Sequence, residues 1–216
     1  MMENERIFII GDIHGCLEML KRLMDRIDWH PERDGLIFLG DYIDRGKDSK
    51  DVVDYILAIS KISSSVCCLK GNHEAIFQEY LAGDYFNNFL INGGDATLDS
   101  YRLGNELDRG IVIPPEHIVF LQSLSLWIEL PDYYVVHAGF RPGVSIEGQT
   151  EEDMVWIRDS FLASDYDFGK KVIFGHSPFP EPLVMDNKIG LDTGAVYGNM
   201  LTCLELPAVR FHSVEA

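Results

Sequence analysis

Three features of the 216-residue chain predict an α/β fold. Short β-branched and aromatic runs fit strands, the stretches after them carry apolar residues at helical spacing, and glycines close the runs. Strand, helix, strand repeated in this order predicts a parallel sheet with both faces covered. RIFII (6–10) reads as the first strand. Leu17, Leu20, Leu23, Met24 and Ile27 then place one apolar face on a helix. GLIFLG (35–40) is a second strand, followed by a helix around Lys50 to Ile59 whose Val53, Ile56 and Leu57 share a face. SVCCLK (65–70) is a third, with a helix from about Glu74 to Leu81.

The middle, from about Gly83 to Pro131, is less regular: NGGDATLDSY supplies a turn, Pro114-Pro115 a break, and helices forming a small cap are expected. YYVVHAG (133–139) and KKVIFGHSP (170–178) return to strands. The tail from Leu183 to Val214, with turns at Asp186-Asn187 and Gly198-Asn199, reads as antiparallel hairpins.

Composition bounds the function classes. The length suits one domain with a single sizeable core, and no linker or repeat divides residues 1–216. With 46% hydrophobic and 25% charged residues, the chain is ordinary globular material. Glu3 and Glu5 stand where a secretory signal needs positive charge, and the apolar run after them is too short to span a membrane. A cytoplasmic protein without a membrane partner is expected. Thirty-five acidic residues against 18 basic ones give a formal charge of −17, so long-range repulsion opposes nucleic acid and anionic lipid. Cys16, Cys67, Cys68 and Cys203 show no CxxC spacing and read as reduced, mostly buried thiols.

Five predicted strands end alike: RIFII into Gly11-Asp12-Ile13-His14-Gly15, LIFL into Gly40-Asp41, CCLK into Gly71-Asn72-His73, YYVV into His137, and VIF into Gly175-His176. In open α/β sheets ligands bind at the carboxyl ends of strands, where the loops converge. A lone Asp in a turn is ordinarily a turn former, and a lone His beside a strand is ordinarily structural. Five coincident strand ends shift that balance. Period-two geometry puts Asp12 and His14 on one side of an extended segment, able to share an ion. The donors Asp12, His14, Asp41, Asn72, His137 and His176 contain no sulfur and two carboxylates, which suits a pair of divalent cations of intermediate hardness such as Mn, Fe or Zn. His30, His117 and His212 lack such a setting and are assigned to the surface.

GDIHG, GDYIDRG, GNHE, VHAG and FGHSP, in this order, resemble the signature of the metallophosphoesterases, and more narrowly of the PPP-type serine/threonine protein phosphatases. NGG (92–94), WIRD (156–159) and LDTGAVYGN (191–199) are similar to segments of the small bacteriophage and bacterial phosphatases, so the likeness spans about residues 6–205. It implies the calcineurin-like metallophosphoesterase fold, a central β-sandwich flanked by helices. It also implies two divalent ions, Mn first among the candidates: Asp12 and His14 on one, Asn72, His137 and His176 on the other, and Asp41 bridging both. Two dications against two aspartates would leave the site positive despite the acidic exterior.

A water made acidic by both ions would attack phosphorus directly, so no protein nucleophile is required. Cys16, beside GDIHG, has no phosphate cradle of the HCx5R kind and is not expected to serve as one. The resemblance implies His73 as the general acid with Asp44 as its partner, and Arg45 and Arg158 as the phosphate-holding arginines, Arg158 lying in a predicted helix. The expected function is a metal-dependent phosphomonoesterase acting on phosphoserine and phosphothreonine in proteins. The alternative is a symmetrical diadenosine tetraphosphate hydrolase, which resembles the same motifs and the LDTGAVYGN segment. A non-catalytic phosphoprotein-binding domain is disfavoured because no ligand has been lost. Substrate specificity is expected to come from residues 83–131, and Tyr197 is a poor candidate to replace the tyrosine-bearing loop of the eukaryotic enzymes.

Overall fold

The computed structural model describes residues 5–83, 86–102 and 110–216. Glu3 and part of the 83–131 region lie outside the described residues. In chain order the elements are β1 (Arg6–Ile10), α1 (Leu17–Ile27), β2 (Asp34–Phe38), α2 (Ser49–Ser60), β3 (Val66–Cys68), α3 (Asn72–Leu81), α4 (Phe86–Ile91), α5 (Gly94–Ser100), α6 (Pro115–Gln122), β4 (Trp127–Glu129) and β5 (Tyr133–Val136). There follow α7 (Glu151–Trp156), α8 (Asp159–Leu162), β6 (Lys171–Phe174), β7 (Leu183–Val184), β8 (Lys188–Gly190), β9 (Met200–Leu206) and β10 (Arg210–Glu215).

The strands form two sheets, ordered β10-β9-β1-β2-β3 and β4-β5-β6-β8-β7. In the first, α1 and α2 make the crossovers of a parallel β1-β2-β3 unit, and the antiparallel β9-β10 hairpin closes the free edge of β1. In the second, β5, β6 and β8 run parallel and carry antiparallel strands at both edges. One parallel sheet is therefore not what forms; two mixed sheets pack as the α/β sandwich that the family resemblance implies. The reason is visible in the burial. Phe8 and Ile10 face the helices α1 to α3, while Ile9 between them faces the second sheet beside Ile37, Val135, Ile173 and Leu204. Val172 and Phe174 of β6 cover the outer face with Phe140, Met154 and Phe161, against which α7 and α8 pack. A strand buried on both faces reads as a continuous apolar run, and that run does not record which sheet it joins.

In the tail, Asp186-Asn187 does turn between β7 and β8. Gly198-Asn199 does not make a hairpin: it ends a 3-10 turn over Ala195–Tyr197, and the β9-β10 connection runs through Pro207-Ala208-Val209. Among the described residues no helix is long and apolar enough to cross a membrane.

Candidate active site

The carboxyl ends of β1, β2, β3, β5 and β6 meet at one edge of the sandwich, three from one sheet and two from the other. Hydrogen bonds stitch the ends together. The His176 backbone N–H donates to Asp12 Oδ2 at 2.9 Å, the His137 ring bonds the Leu39 carbonyl at 2.9 Å, and Gly175 N–H donates to the His137 carbonyl at 2.7 Å. Two of the closing glycines are sterically required. A Cβ on Gly175 would come 2.2 Å from Asp12 Oδ1, and one on Gly71 would come 2.1 Å from Asp41 Oδ1.

Asp12 and His14 reach the site by a different local geometry from the expected alternation. His14 adopts φ 46°, and its N–H and that of Ile13 both donate to the Asp41 carbonyl. Asp41, Asp44, Arg45 and His176 also have positive φ, between 51° and 70°. Such backbone costs about 1–3 kcal/mol per residue and persists only where the surroundings dictate it. Its concentration here marks a site whose geometry is held against local preference.

The tautomers show what the side chains are arranged to receive. His14 donates Nδ1–H to the Ile43 carbonyl at 2.8 Å, and His137 donates Nδ1–H to Leu39, so both Nε2 atoms present lone pairs to the centre. His14 Nε2 lies 3.4 Å from Asp41 Oδ2, and His137 Nε2 lies 3.5 Å from Asp41 Oδ1. Asn72 Oδ1 sits 3.2 Å from His137 Nε2 and 2.7 Å from His176 Nδ1. Among the described residues, Asp12 Oδ1 and His176 Nε2 are buried without a hydrogen-bond partner. The His14 and His137 lone pairs thus face carboxylate and amide oxygens, contacts between acceptors that a divalent cation on either side of Asp41 relieves. Burial lowers His14 to about 3 and His176 to about 2, which keeps both imidazoles neutral, the form that ligates. Burial, then the charges of Asp192 and Asp41, push Asp12 well above the ordinary carboxylate value. The residues fit two divalent ions.

His73 differs from these donors. Its Nδ1 bonds Asp44 Oδ2 at 2.7 Å, and its ring stands edge-on to His14, with centroids 4.6 Å apart. Burial opposes its charge, but Asp41 and Asp44 outweigh burial and its pKa rises. The imidazolium is thereby favoured. His14, Asp41 and His73 also lie close enough to form a possible ligand cluster, as do Asp41, His137 and His176. The Asp44 bond occupies Nδ1 and leaves Nε2 of His73 for the centre.

Sequence reasoning missed four supporting residues. Thr97 of α5 donates to Asp44 Oδ1 at 2.6 Å and accepts from the Asp44 N–H at 2.8 Å, and Gly93 accepts from the Arg45 N–H at 3.0 Å. This part of the 83–131 region buttresses the Asp44-Arg45 loop from behind. Glu74 is fully buried and accepts from the N–H groups of Asp41, Tyr42 and Gly71 at 2.8, 2.8 and 3.0 Å, with a longer contact of 3.4 Å from Ile43. Burial and Asp41 push its carboxyl up, to about 8, against the pull of those donors. Asp192, 6% exposed, adds a third carboxylate near Asp12, so the positive surplus expected from two aspartates is smaller. Only the Glu in GNHE and the Asp in LDTG signalled the last two.

Both arginines are exposed at the rim. Arg45 Nη1 donates to His14 Nε2 at 2.8 Å, a cation against the lone pair that would meet an ion. Arg158 is not inside a helix; it caps α8 at the junction with α7, with Nη1 3.4 Å from Ser177 Oγ. Cys16 is partly buried, and burial and then Asp48 push its thiol up to about 11, which removes the thiolate a nucleophile needs. Of the histidines assigned to the surface, His30 is exposed and His212 is half-buried, pairing Glu205 at 2.8 Å. His117 is fully buried, bridging the Tyr101 hydroxyl and Asp54 at 2.8 and 2.9 Å. Helical packing around α2 and α6 buries it, which no local pattern around it announces.

A two-sheet sandwich with sulfur-free clusters of candidate metal ligands at its strand ends fits the metallophosphoesterase likeness of the motifs. Residues 5–200 match the calcineurin-like phosphoesterase family, and the chain belongs to it. It is 27% identical over 231 residues to the asymmetrical bis(5′-nucleosyl)-tetraphosphatase PrpE of Halalkalibacterium halodurans, covering 95% of this chain and 92% of that protein. It is 28% identical to the protein of the same name from Oceanobacillus iheyensis, covering 97% and 92%. Among solved structures it superimposes on one assigned provisionally as a diadenosine tetraphosphatase, with a TM-score of 0.79, 24% identity, and 98% and 93% of the two chains covered. A serine/threonine protein phosphatase from Saccharomyces cerevisiae shares the fold at a TM-score of 0.68 and 15% identity, with 99% and 81% covered.

Proposed function

We propose that this enzyme hydrolyses bis(5′-nucleosyl) tetraphosphates asymmetrically, releasing a nucleoside monophosphate and a nucleoside triphosphate. The observation that carries this reading is the end-to-end match to proteins bearing that name, over more than nine-tenths of both chains. It reverses the order of substrates expected from the motifs, which placed phosphoproteins first, and replaces symmetrical by asymmetrical cleavage.

In this reading Asp12 and His14 would hold one divalent ion and Asn72, His137 and His176 a second, with Asp41 shared between them. When bound, the ions neutralise charge on the phosphoryl oxygens and sharpen the acidity of water. The chain's own residues do the rest. Arg45 and Arg158 flank the two pockets with forked donors suited to phosphate oxygens, fixing the reacting phosphoryl group between them. His73 delivers the proton from Nε2 to the leaving oxygen, while Asp44, held by Thr97, fixes Nδ1 and favours the charged ring.

A second reading, phosphoserine or phosphothreonine hydrolysis, is favoured by that His73-Asp44 pair. A basic alkoxide leaving group needs a proton more than a nucleotide phosphate does. Rates for the Mn-loaded enzyme on diadenosine tetraphosphate and on a phosphoserine peptide, with chromatographic identification of nucleotides, test the order. The proposal expects AMP and ATP in equal amounts at the faster rate. ADP as sole product, or faster peptide turnover, overturns it.

A further inference from the structure

Two exposed aromatic side chains touch residues of the site, one through Arg45 and the other through His176. Tyr197 is 63% exposed on the 3-10 turn after Gly194, and the Arg45 guanidinium lies 5.5 Å from its ring centroid. Arg45 in turn bonds His14. Trp156, 39% exposed at the end of α7, sets its ring at 88° to the His176 ring with centroids 6.0 Å apart. From end to end the contacts run Tyr197, Arg45, His14, Asp41, His137, His176, Trp156.

Neither ring is exposed by accident of a loose segment. The Tyr197 N–H donates to the Gly194 carbonyl at 3.0 Å, Asn199 ties the turn to Pro180 and Thr193, and Asp192 accepts from the Gly194 N–H. Trp156 ends a helix begun by a reciprocal Thr150-Asp153 cap and forms one wall of a groove of about 660 Å³. That groove is also lined by Glu79, Glu151 and Glu152. Carboxylates repel a phosphate but accept bonds from ribose hydroxyls and an exocyclic amine. They would leave the polyphosphate at the centre and admit the nucleoside.

We propose that Tyr197 and Trp156 are stacking platforms for the two nucleobases of the substrate, one at each end of that row of contacts. The inference rests on the dinucleoside reading and names the residues that select for it. Base–aromatic stacking tolerates any base, because every base presents a π-face.

Calorimetric binding of AMP and of ribose 5-phosphate to the Mn-loaded protein isolates the base, since the two share the phosphate and sugar. Wild type should bind AMP roughly 5- to 160-fold more tightly, the range expected of one stacked base. In Tyr197→Ala/Trp156→Ala the ratio should collapse to near one with ribose 5-phosphate affinity kept, and in Tyr197→Phe/Trp156→Phe the preference should survive. Each single Ala variant should raise KM for diadenosine tetraphosphate. A wild-type ratio near one, a preference unaltered in the double Ala variant, or equal loss of both ligands overturns the assignment. Failure of wild type to cleave diadenosine tetraphosphate while it turns over p-nitrophenyl phosphate sinks the dinucleoside reading instead, and the AMP preference still reports on the rings.

Discussion

Replacing Glu74 by Gln perturbs the site without replacing a proposed ligand. Oε1 accepts from Tyr42 and, at longer range, from Ile43; Oε2 accepts from Asp41 and Gly71. The amide turns one of these oxygens into a donor, so two buried N–H groups lose their acceptor and face an NH2. Each orphaned donor costs about 1–3 kcal/mol, giving about 2–6 kcal/mol for the pair. For a domain of this length each kcal/mol lowers Tm by about 2–4 °C, so the expected fall is about 4–24 °C. Because Gly71 and Asp41 move with it, metal affinity should fall as well. Differential scanning calorimetry of the Mn-loaded variant reads the first effect, and elemental analysis after gel filtration reads the second. An unchanged Tm with full metal content would refute the reasoning, since the four N–H groups would then be satisfied without a carboxylate.

His73→Asn should cost little on p-nitrophenyl phosphate and approach the roughly 10²–10⁴-fold loss expected of general acid catalysis on a phosphoserine peptide, with metal content kept; equal losses on both would assign His73 to structure or metal. Thr97→Val should reproduce the same leaving-group dependence more weakly, because it releases Asp44, and a flat loss would separate α5 from the chemistry. Arg158→Ala should weaken inhibition by inorganic phosphate, a charge-assisted contact being worth about 1.5–3 kcal/mol; inhibition at the wild-type level would make Arg158 a surface charge. Away from the site, Arg6 bonds the buried Asp34 at 2.6 Å. Burial raises the Asp34 carboxyl, but Arg6 and the His30 N–H outweigh it and the pKa falls. A depressed carboxylate contributes stability above its unfolded value of about 3.9 and loses it as pH falls through the folded value, so acid melting of Asp34→Asn should be flatter than wild type below about pH 4. Parallel melting curves would contradict this.

The residues at the strand ends were legible because each donor follows an apolar run at a glycine, and parallel topology forces such ends together. RIFII, LIFL and VIF therefore located Asp12, Asp41 and His176 without knowledge of the sheets. The division into two sheets was not legible, since Ile9 and Phe8 look alike in sequence and differ only in which layer they face. Thr97 and Glu74 act through bonds to residues 53 and 32 or 33 positions away, and ordinary helix positions give no hint of such partners. The expectation that residues 83–131 set specificity falls partly on residues outside those described. The described part of that segment holds Asp44 and Arg45 from behind, whereas the exposed rings at the rim belong to α7 and the turn before β9.

The account stands on one carboxylate joining two metal pockets, and counting ions per chain tests it most directly. After stripping and equilibrium dialysis against Mn, wild type should retain two ions, Asp12→Asn one, and Asp41→Asn none, with Tm rising on loading in step with the ions bound. An Asp41→Asn protein that keeps one tightly held ion and wild-type hydrolysis, or a metal-stripped wild type that retains full activity, would contradict it.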